Sequence, residues 1–245
     1  NNEEDNLNLP KDNLIESKIF NFKKIKFKNV NYNYPNSNNY ILKNINLEIF
    51  KGEKIGIVGE SGSGKTTLIN LITGLLSPTL GEIELNEDKL INNLSNLQKK
   101  IGYVSQSVYL ADESLKFNVA FKKIGENINE DRINNLISLL KLNDLLISKK
   151  DGLNTTVGEK GIKLSGGQIQ RIGIARALYD TPDILILDEA TNALDLSTQE
   201  EVLKNIYNEM ENKTVISISH DVNSLKYCAK IYLLKDCELK NYDKK

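Results

Sequence analysis

Apolar and polar residues nearly alternate through Ile25, Phe27, Val30, Tyr32 and Tyr34, with one slip of register around Asn29. A period of two with a single slip predicts a half-exposed strand that carries a bulge. A second strand is expected over 41–50, ending at the turn Lys51-Gly52. Four later runs, at 55–58, 101–104, 184–187 and 215–218, are short and mostly apolar. Continuous β-rich runs of this kind fit strands buried on both faces of a largely parallel sheet. In open α/β sheets ligands sit beyond the carboxyl ends of such strands. Here those ends carry a glycine-rich run from Gly59, then Gln106, the pair Asp188-Glu189, and His220. Between Gln106 and Leu164 the strand pattern gives way to Ile133, Leu136, Ile137 and Leu140 at helical spacing, which predicts a mostly helical insertion.

Composition narrows the class without deciding it. The chain has 245 residues, enough for one substantial core with a subdomain or for two small domains. Its 32 basic and 33 acidic side chains balance, so no electrostatic footprint for nucleic acid or anionic lipid is present. No apolar run reaches the roughly 18–20 residues that cross a bilayer. Cys228 and Cys237 have no metal spacing and read as reduced, small buried hydrophobes of an intracellular domain. The polar, proline-containing opening NNEEDNLNLPKDN reads as a linker. Asparagine recurs throughout and carries no functional reading.

Three stretches carry chemistry. Gly59-Glu60-Ser61-Gly62-Ser63-Gly64-Lys65-Thr66, followed by Thr67, matches the phosphate-loop pattern between a strand and an apolar helix. Its glycines let backbone N–H groups turn inward around phosphates, and the helix N-terminus adds partial positive charge. Lys65 is expected on the terminal phosphates and Thr66 on Mg²⁺. Where the run 184–187 ends, Asp188 is positioned for the magnesium shell and Glu189 for the attacking water, as general base or orienter. The third stretch, Leu164-Ser165-Gly166-Gly167-Gln168, lies far from the phosphate loop and precedes a different helix. It makes sense as a second phosphate-facing helix start that closes on a nucleotide held elsewhere, shared between two copies of the domain.

Together these residues resemble the nucleotide-binding domain of an ATP-binding cassette (ABC) protein, over nearly everything after the linker. The resemblance implies an α/β P-loop NTPase (RecA-like) core with a mainly parallel sheet, an N-terminal antiparallel β subdomain and a helical signature-motif subdomain. It makes the two runs above the Walker A and Walker B motifs, binding ATP and Mg²⁺. It makes 164–168 the signature motif, whose Ser165, Gly166, Gly167 and Gln168 meet the γ-phosphate held by the opposite domain. Gln106 resembles the Q-loop glutamine that senses magnesium and the membrane domain. Asn192-Ala193-Leu194-Asp195 resembles the D-loop, and His220 the switch histidine. Tyr34, before Pro35, matches the aromatic that stacks on adenine, with Tyr32 and Tyr40 as less well placed competitors. Val157-Gly158-Glu159-Lys160-Gly161 resembles the TxVGExG element of exporters, which touches the coupling helices of the membrane domains. Two departures lie outside these motifs: Ser105 where proline is common, and Cys237 where a glycine turn is usual.

The expected organisation is a linker over 1–22 from a preceding membrane domain, then one ATPase domain over 23–245 with a helical subdomain inserted at about 107–170. The implied partners are a second ABC ATPase domain, in a homo- or heterodimer, and a transmembrane domain in the same polypeptide; no nucleic acid is expected. The implied location is the cytoplasmic face of a membrane, and the implied work is ATP hydrolysis that powers export or flipping. An importer ATPase is the alternative within transport, disfavoured by the linker and the Gly158-Glu159 element. A DNA-repair ATPase would need a long heptad coiled coil between Walker A and the signature, where only a short helical stretch is present. A translation factor of the family would carry two such domains and basic patches.

Overall fold

A computed structural model describes residues 20–122, 126–147, 151–158 and 163–242. In chain order the first elements are β1 (Lys24–Tyr32), β2 (Leu42–Phe50), β3 (Lys54–Val58), α1 (Lys65–Ile72), β4 (Leu80–Leu85) and β5 (Asp88–Lys89). Next come α2 (Leu94–Gln98), β6 (Ile101–Val104), α3 (Leu115–Ala120), α4 (Glu130–Leu139), α5 (Asn143–Ile147) and α6 (Gly166–Tyr179). The chain closes with β7 (Ile184–Asp188), α7 (Leu196–Glu209), β8 (Thr214–Ser219), β9 (Lys230–Lys235) and β10 (Glu238–Asn241).

The strands form two sheets, an antiparallel one in the order β2-β1-β4-β5 and a second in the order β10-β9-β3-β8-β7-β6. In the second, β9, β3, β8, β7 and β6 run parallel and only β10 pairs antiparallel. The fold class is therefore the mixed α/β arrangement that the apolar runs imply. Alternation along β7 shows why those runs are continuous. Ile184 and Ile186 point into a core shared with α1 and the antiparallel sheet, while Leu185 and Leu187 point into a core shared with α4, α6 and α7. Both faces of the strand are covered, so no polar residue interrupts it until Asp188 at its end.

The expected slip of β1 against β2 falls between Phe27 and Val30, where Asn29 takes the left-handed conformation with φ 48°, and a second slip, not expected from the sequence, follows between Val30 and Tyr32. An asparagine tolerates that region better than a branched residue would. Tyr34 lies past the end of β1, in the turn that follows. Ile133, Leu136, Ile137 and Leu140 are fully buried along and just after α4. Four strands go beyond the sequence expectation. In β4 the first three residues are exposed, so the period is not visible, and β5 has two residues. In β9 the burial pattern is irregular, and β10 is an exposed hairpin partner.

The two cysteines part company. Cys228 is buried, as expected, but Cys237 is half-buried in the β9–β10 turn and donates its thiol to the Tyr40 carbonyl at 3.1 Å. The expectation of a buried hydrophobe fails there because a tight hairpin turn sits at the surface. Asp236 and Cys237 have φ 52° and 65°, the two positive values that such a two-residue turn requires. Cysteine thus occupies a backbone position of the kind glycine favours. Most of the linker expectation (1–19), and Glu159, Lys160 and Gly161 of the exporter-like element, fall outside the described residues.

Candidate functional site

The carboxyl ends of β3, β6, β7 and β8 deliver their following residues to one cleft. It has a volume of about 320 Å³ and is lined by Tyr34, Ser61, Lys65, Gln106, Glu189 and His220, with Thr66, Thr67 and Asp188 among the remaining walls. Adjacent parallel strands share this edge because β7 pairs with both β6 and β8.

The loop after β3 turns through Gly62 (φ 80°) and Gly64 (φ 102°), values that side-chain-bearing residues rarely adopt. A Cβ at Gly59 would lie 2.6 Å from both the Leu234 carbonyl and the Ser63 hydroxyl, so only glycine fits where the loop leaves the strand. Gly64 is the N-cap of α1 and offers no side-chain acceptor to the first-turn N–H groups. Those donors, with the positive end of the helix dipole, leave a place for an anion. The Ser63 hydroxyl is buried with no hydrogen-bond partner among the described residues. Lys65 is buried, and its ammonium folds back to donate to the Gly59 and Glu60 carbonyls, each at 2.8 Å.

Glu189 follows β7 with φ 50°, a strained value for a non-glycine residue. Its N–H bonds the Ile218 carbonyl at 3.0 Å, which ties the turn to β8. Its carboxylate collects a ring of partners. Gln106 Nε2 donates to Oε2 at 3.1 Å and Asn192 Nδ2 to the same oxygen at 3.0 Å. Lys65 Nζ lies 4.0 Å and His220 Nδ1 3.7 Å from Oε1. Asp188 is buried, and burial is the main cause that raises its carboxyl above the ordinary range, opposed by a hydrogen bond from Tyr103. The Tyr103 phenol is pushed up to about 12, first by burial and then by Asp188, so it stays a donor at neutral pH.

Tyr34 stands at the opposite wall of the cleft. Its hydroxyl shares a hydrogen bond with Thr67 Oγ1 at 3.1 Å, and the Tyr32 ring meets it edge-on with centroids 5.2 Å apart. Tyr32 itself is buried behind it, and neither Tyr32 nor Tyr40 lines the cleft.

The signature run is elsewhere. Ser165, Gly166, Gly167 and Gln168 do not line this cleft; they open α6, and Ser165 caps it. The Ser165 hydroxyl accepts from Gln168 N at 3.2 Å while Gln168 Oε1 accepts from Ser165 N at 2.9 Å, a complete capping box. A Cβ at Gly167 would lie 2.8 Å from Leu194 Cδ2 and 3.0 Å from the Ala193 carbonyl, so the helix start packs directly on the segment 192–195. Gln170 Oε1 accepts from Ala193 N at 2.9 Å and fastens that segment further.

The sequence did not single out Asn192 as a partner of Glu189, Thr67 as a partner of Tyr34, or Tyr103 and Gln170 at all. The Tyr34–Thr67 contact joins segments far apart in sequence, while Asn192 lies three residues from Glu189, inside the segment that resembles the D-loop. Tyr103 had one available signal: it is the polar-tipped residue of an otherwise apolar strand that ends in this cleft.

The donor set around the loop is hard and sparse: the Thr66 hydroxyl, the Asp188 carboxylate and the Gln106 amide. Among the described residues no group of three or more His, Cys, Asp or Glu side chains could hold a metal by itself. That suits Mg²⁺, which takes one or two protein oxygens and completes its shell with phosphates and water.

Comparison with known proteins follows the same lines. A family model described as ABC transporter matches residues 42–192. The chain is 39% identical over 219 residues to an ATP-dependent lipid A-core flippase of Wigglesworthia glossinidia brevipalpis, covering 89% of this chain and 38% of that protein. It is 40% identical over 211 residues to the alpha-hemolysin translocation ATP-binding protein HlyB of Escherichia coli O157:H7, covering 86% of this chain and 30% of that protein. A solved bacterial Atm1-family ABC exporter with ATP bound superposes with a TM-score of 0.82 at 30% identity, over 89% of this chain and 38% of its own. The chain thus spans only 30–38% of the length of these relatives.

Proposed function

The chain belongs to the ABC transporter family, whose matched domain binds ATP, and from that membership we propose that it hydrolyses MgATP to power export or flipping across a membrane. The observation that carries this reading is the split between two sets of phosphate-directed groups. The loop, Gln106, Asp188, Glu189 and His220 share one cleft, while the capped glycine start of α6 does not line that cleft. A second copy, turned head to tail, would bring its Ser165 and Gly167 to the phosphates held here. Two nucleotides would then be enclosed between two domains.

In this scheme the backbone N–H groups of Gly62 to Thr67 cradle the phosphates, and the Lys65 ammonium leaves its own loop carbonyls for the terminal phosphates. Tyr34 stacks on the base. Thr66 and Asp188, with Gln106, would hold Mg²⁺, which spreads the negative charge of the phosphates when bound. Glu189 takes the proton of the attacking water, or orients it, and His220 holds that water and the γ-phosphate from the other side. Gln106 and Asn192 keep the Glu189 carboxylate aimed until the nucleotide arrives. Hydrolysis then leaves two negatively charged products side by side, and their repulsion opens the pair.

Transport by a fused transmembrane domain, at the cytoplasmic face of a membrane, rests on the kinship with a flippase and a toxin translocator. None of the described helices is long and apolar enough to cross a membrane, so the spanning part would lie in the portion of the relatives that this chain does not match. We take 1–22 as the linker to it, 23–245 as the ATPase domain and about 107–170 as its helical subdomain. The importer alternative finds no support in the relatives named above. The test is sedimentation of the Glu189→Gln variant, which should dimerise on adding ATP because the enclosed nucleotide is no longer cleaved. A variant that stays monomeric at saturating MgATP would sink the shared-site scheme.

A further inference from the structure

We propose that Tyr103 is a positioning residue for the cation: its hydroxyl holds one oxygen of Asp188 so that the other is presented to the metal. The inference rests on the reading of Asp188 as a magnesium-shell residue. It starts from register. Tyr103 on β6 pairs with Ile186 on β7, so it shares a sheet face with Ile186 and with Asp188 two residues further on. That face is the one turned to α1, whose first residues Lys65 and Thr66 line the cleft with Asp188. From opposite Ile186 a tyrosine is long enough to reach along the strand, and Tyr103 Oη lies 3.3 Å from Asp188 Oδ2.

This is the only hydrogen bond shown to the Asp188 side chain among the described residues. Asp188 is 5% exposed, so solvent does little to fix its carboxylate. An unbound carboxylate in that setting is free to turn about its last bond, and each wrong orientation must be reversed before a cation can be held. The bond to Oδ2 leaves Oδ1 as the free oxygen. An aliphatic residue at position 103 would fill the same strand position and leave both oxygens unheld. The hydroxyl also gives Oδ2 a partner that stays in place whether or not metal is present, which a metal-bound water cannot do.

The experiment measures cation binding directly, on the whole chain. A fluorescent ATP analogue is titrated in EDTA and with Mn²⁺, and bound Mn²⁺ is counted by electron paramagnetic resonance. Tyr103→Phe should leave nucleotide affinity in EDTA unchanged and raise the Mn²⁺ concentration for half-occupancy by about two- to fivefold, because the bond is made with and without metal and only the orientational freedom it removes from Asp188 contributes to binding. Asp188→Asn should raise it as well, and Tyr103→Phe should add nothing in that background. Tyr103→Phe leaves a buried carboxylate oxygen without its partner, so its ligand-free thermal midpoint should fall somewhat; unchanged nucleotide affinity in EDTA, measured well below that midpoint, separates the cation effect from a general loss of packing. Unchanged Mn²⁺ binding in Tyr103→Phe, with Asp188→Asn weakened, overturns the positioning role alone. An equal shift in the Asp188→Asn background overturns it too, by tracing the effect to another group. Mn²⁺ binding that ignores Asp188→Asn removes the metal reading of Asp188 and this inference with it.

Discussion

The proposed stacking role of Tyr34 fits the way its ring is held at the cleft. Its ring is steadied on one edge by Tyr32 and at the hydroxyl by Thr67, while 44% of the residue stays exposed at the cleft. A stacking surface fixed in advance costs less to order on binding. Tyr34→Ala should therefore weaken ATP binding by roughly 1–3 kcal/mol, the range for bases on aromatic rings. Tyr34→Phe keeps the ring and should lose less than about 1 kcal/mol, the share of one neutral hydrogen bond. Isothermal titration of both variants checks this, and the turnover rate at saturating ATP should fall little in either. Equal losses in the two would put the weight on the Thr67 contact and not on stacking. The same scale explains Glu189. Its positive φ is stored strain, and the hydrogen bonds from its N–H to β8 and from Gln106 and Asn192 to its carboxylate hold it there.

At the level of elements, the sheet and the signature helix are joined where a glycine permits it. A Cβ on Gly102 of β6 would lie 2.2 Å from the Ala177 carbonyl of α6, a backbone atom that cannot step aside. Gly102→Ala should cost about 1–3 kcal/mol by overpacking, measured as a lower urea midpoint with an unchanged slope. Because β6 leads directly to Gln106, the variant should also loosen the Gln106–Glu189 contact. An alanine tolerated without loss of stability would show that β6 and α6 are not rigidly docked. The elements that were legible in the sequence share one physical property, burial on a regular period. The strands β3, β7 and β8 are buried on both faces, β6 at the sheet edge is a mostly apolar run with Tyr103 exposed, and α4 repeats its apolar residues at helical spacing. The strand β4 was not legible because its first half lies in solvent, nor was β9, whose partly exposed residues blur the period. The site residues stood out where a motif needs adjacent positions, as in 59–66 or 164–168. Thr67 and Tyr103 meet partners far away in sequence, and such pairing leaves no local trace.

At the scale of the whole molecule, the phosphate-loop cleft and the glycine start of α6 do not meet within the described residues, and the proposed function makes them two half-sites. The cleft lacks the signature residues, and the start of α6 is instead packed on the segment 192–195 of its own chain. If each half-site is completed by a partner, two differently damaged chains should repair one another. Lys65→Ala spoils the phosphate loop and leaves the signature intact. Ser165→Asp keeps a good helix cap but sets a negative charge against the partner's phosphates. Each variant alone should hydrolyse ATP at a small fraction of the parent rate. In an equal mixture half of the dimers are mixed, and each mixed dimer has one site with both components sound. The regained rate should approach about a quarter of the parent value, as two-fold symmetry and random pairing require. It should also rise with total protein concentration, since the isolated domains must find each other. Phosphate-release assays on the two variants, alone and mixed, decide the matter. A mixture no faster than its components, under conditions where the parent dimerises, would mean that each chain completes its own site and that the glycine start of α6 serves only its own fold.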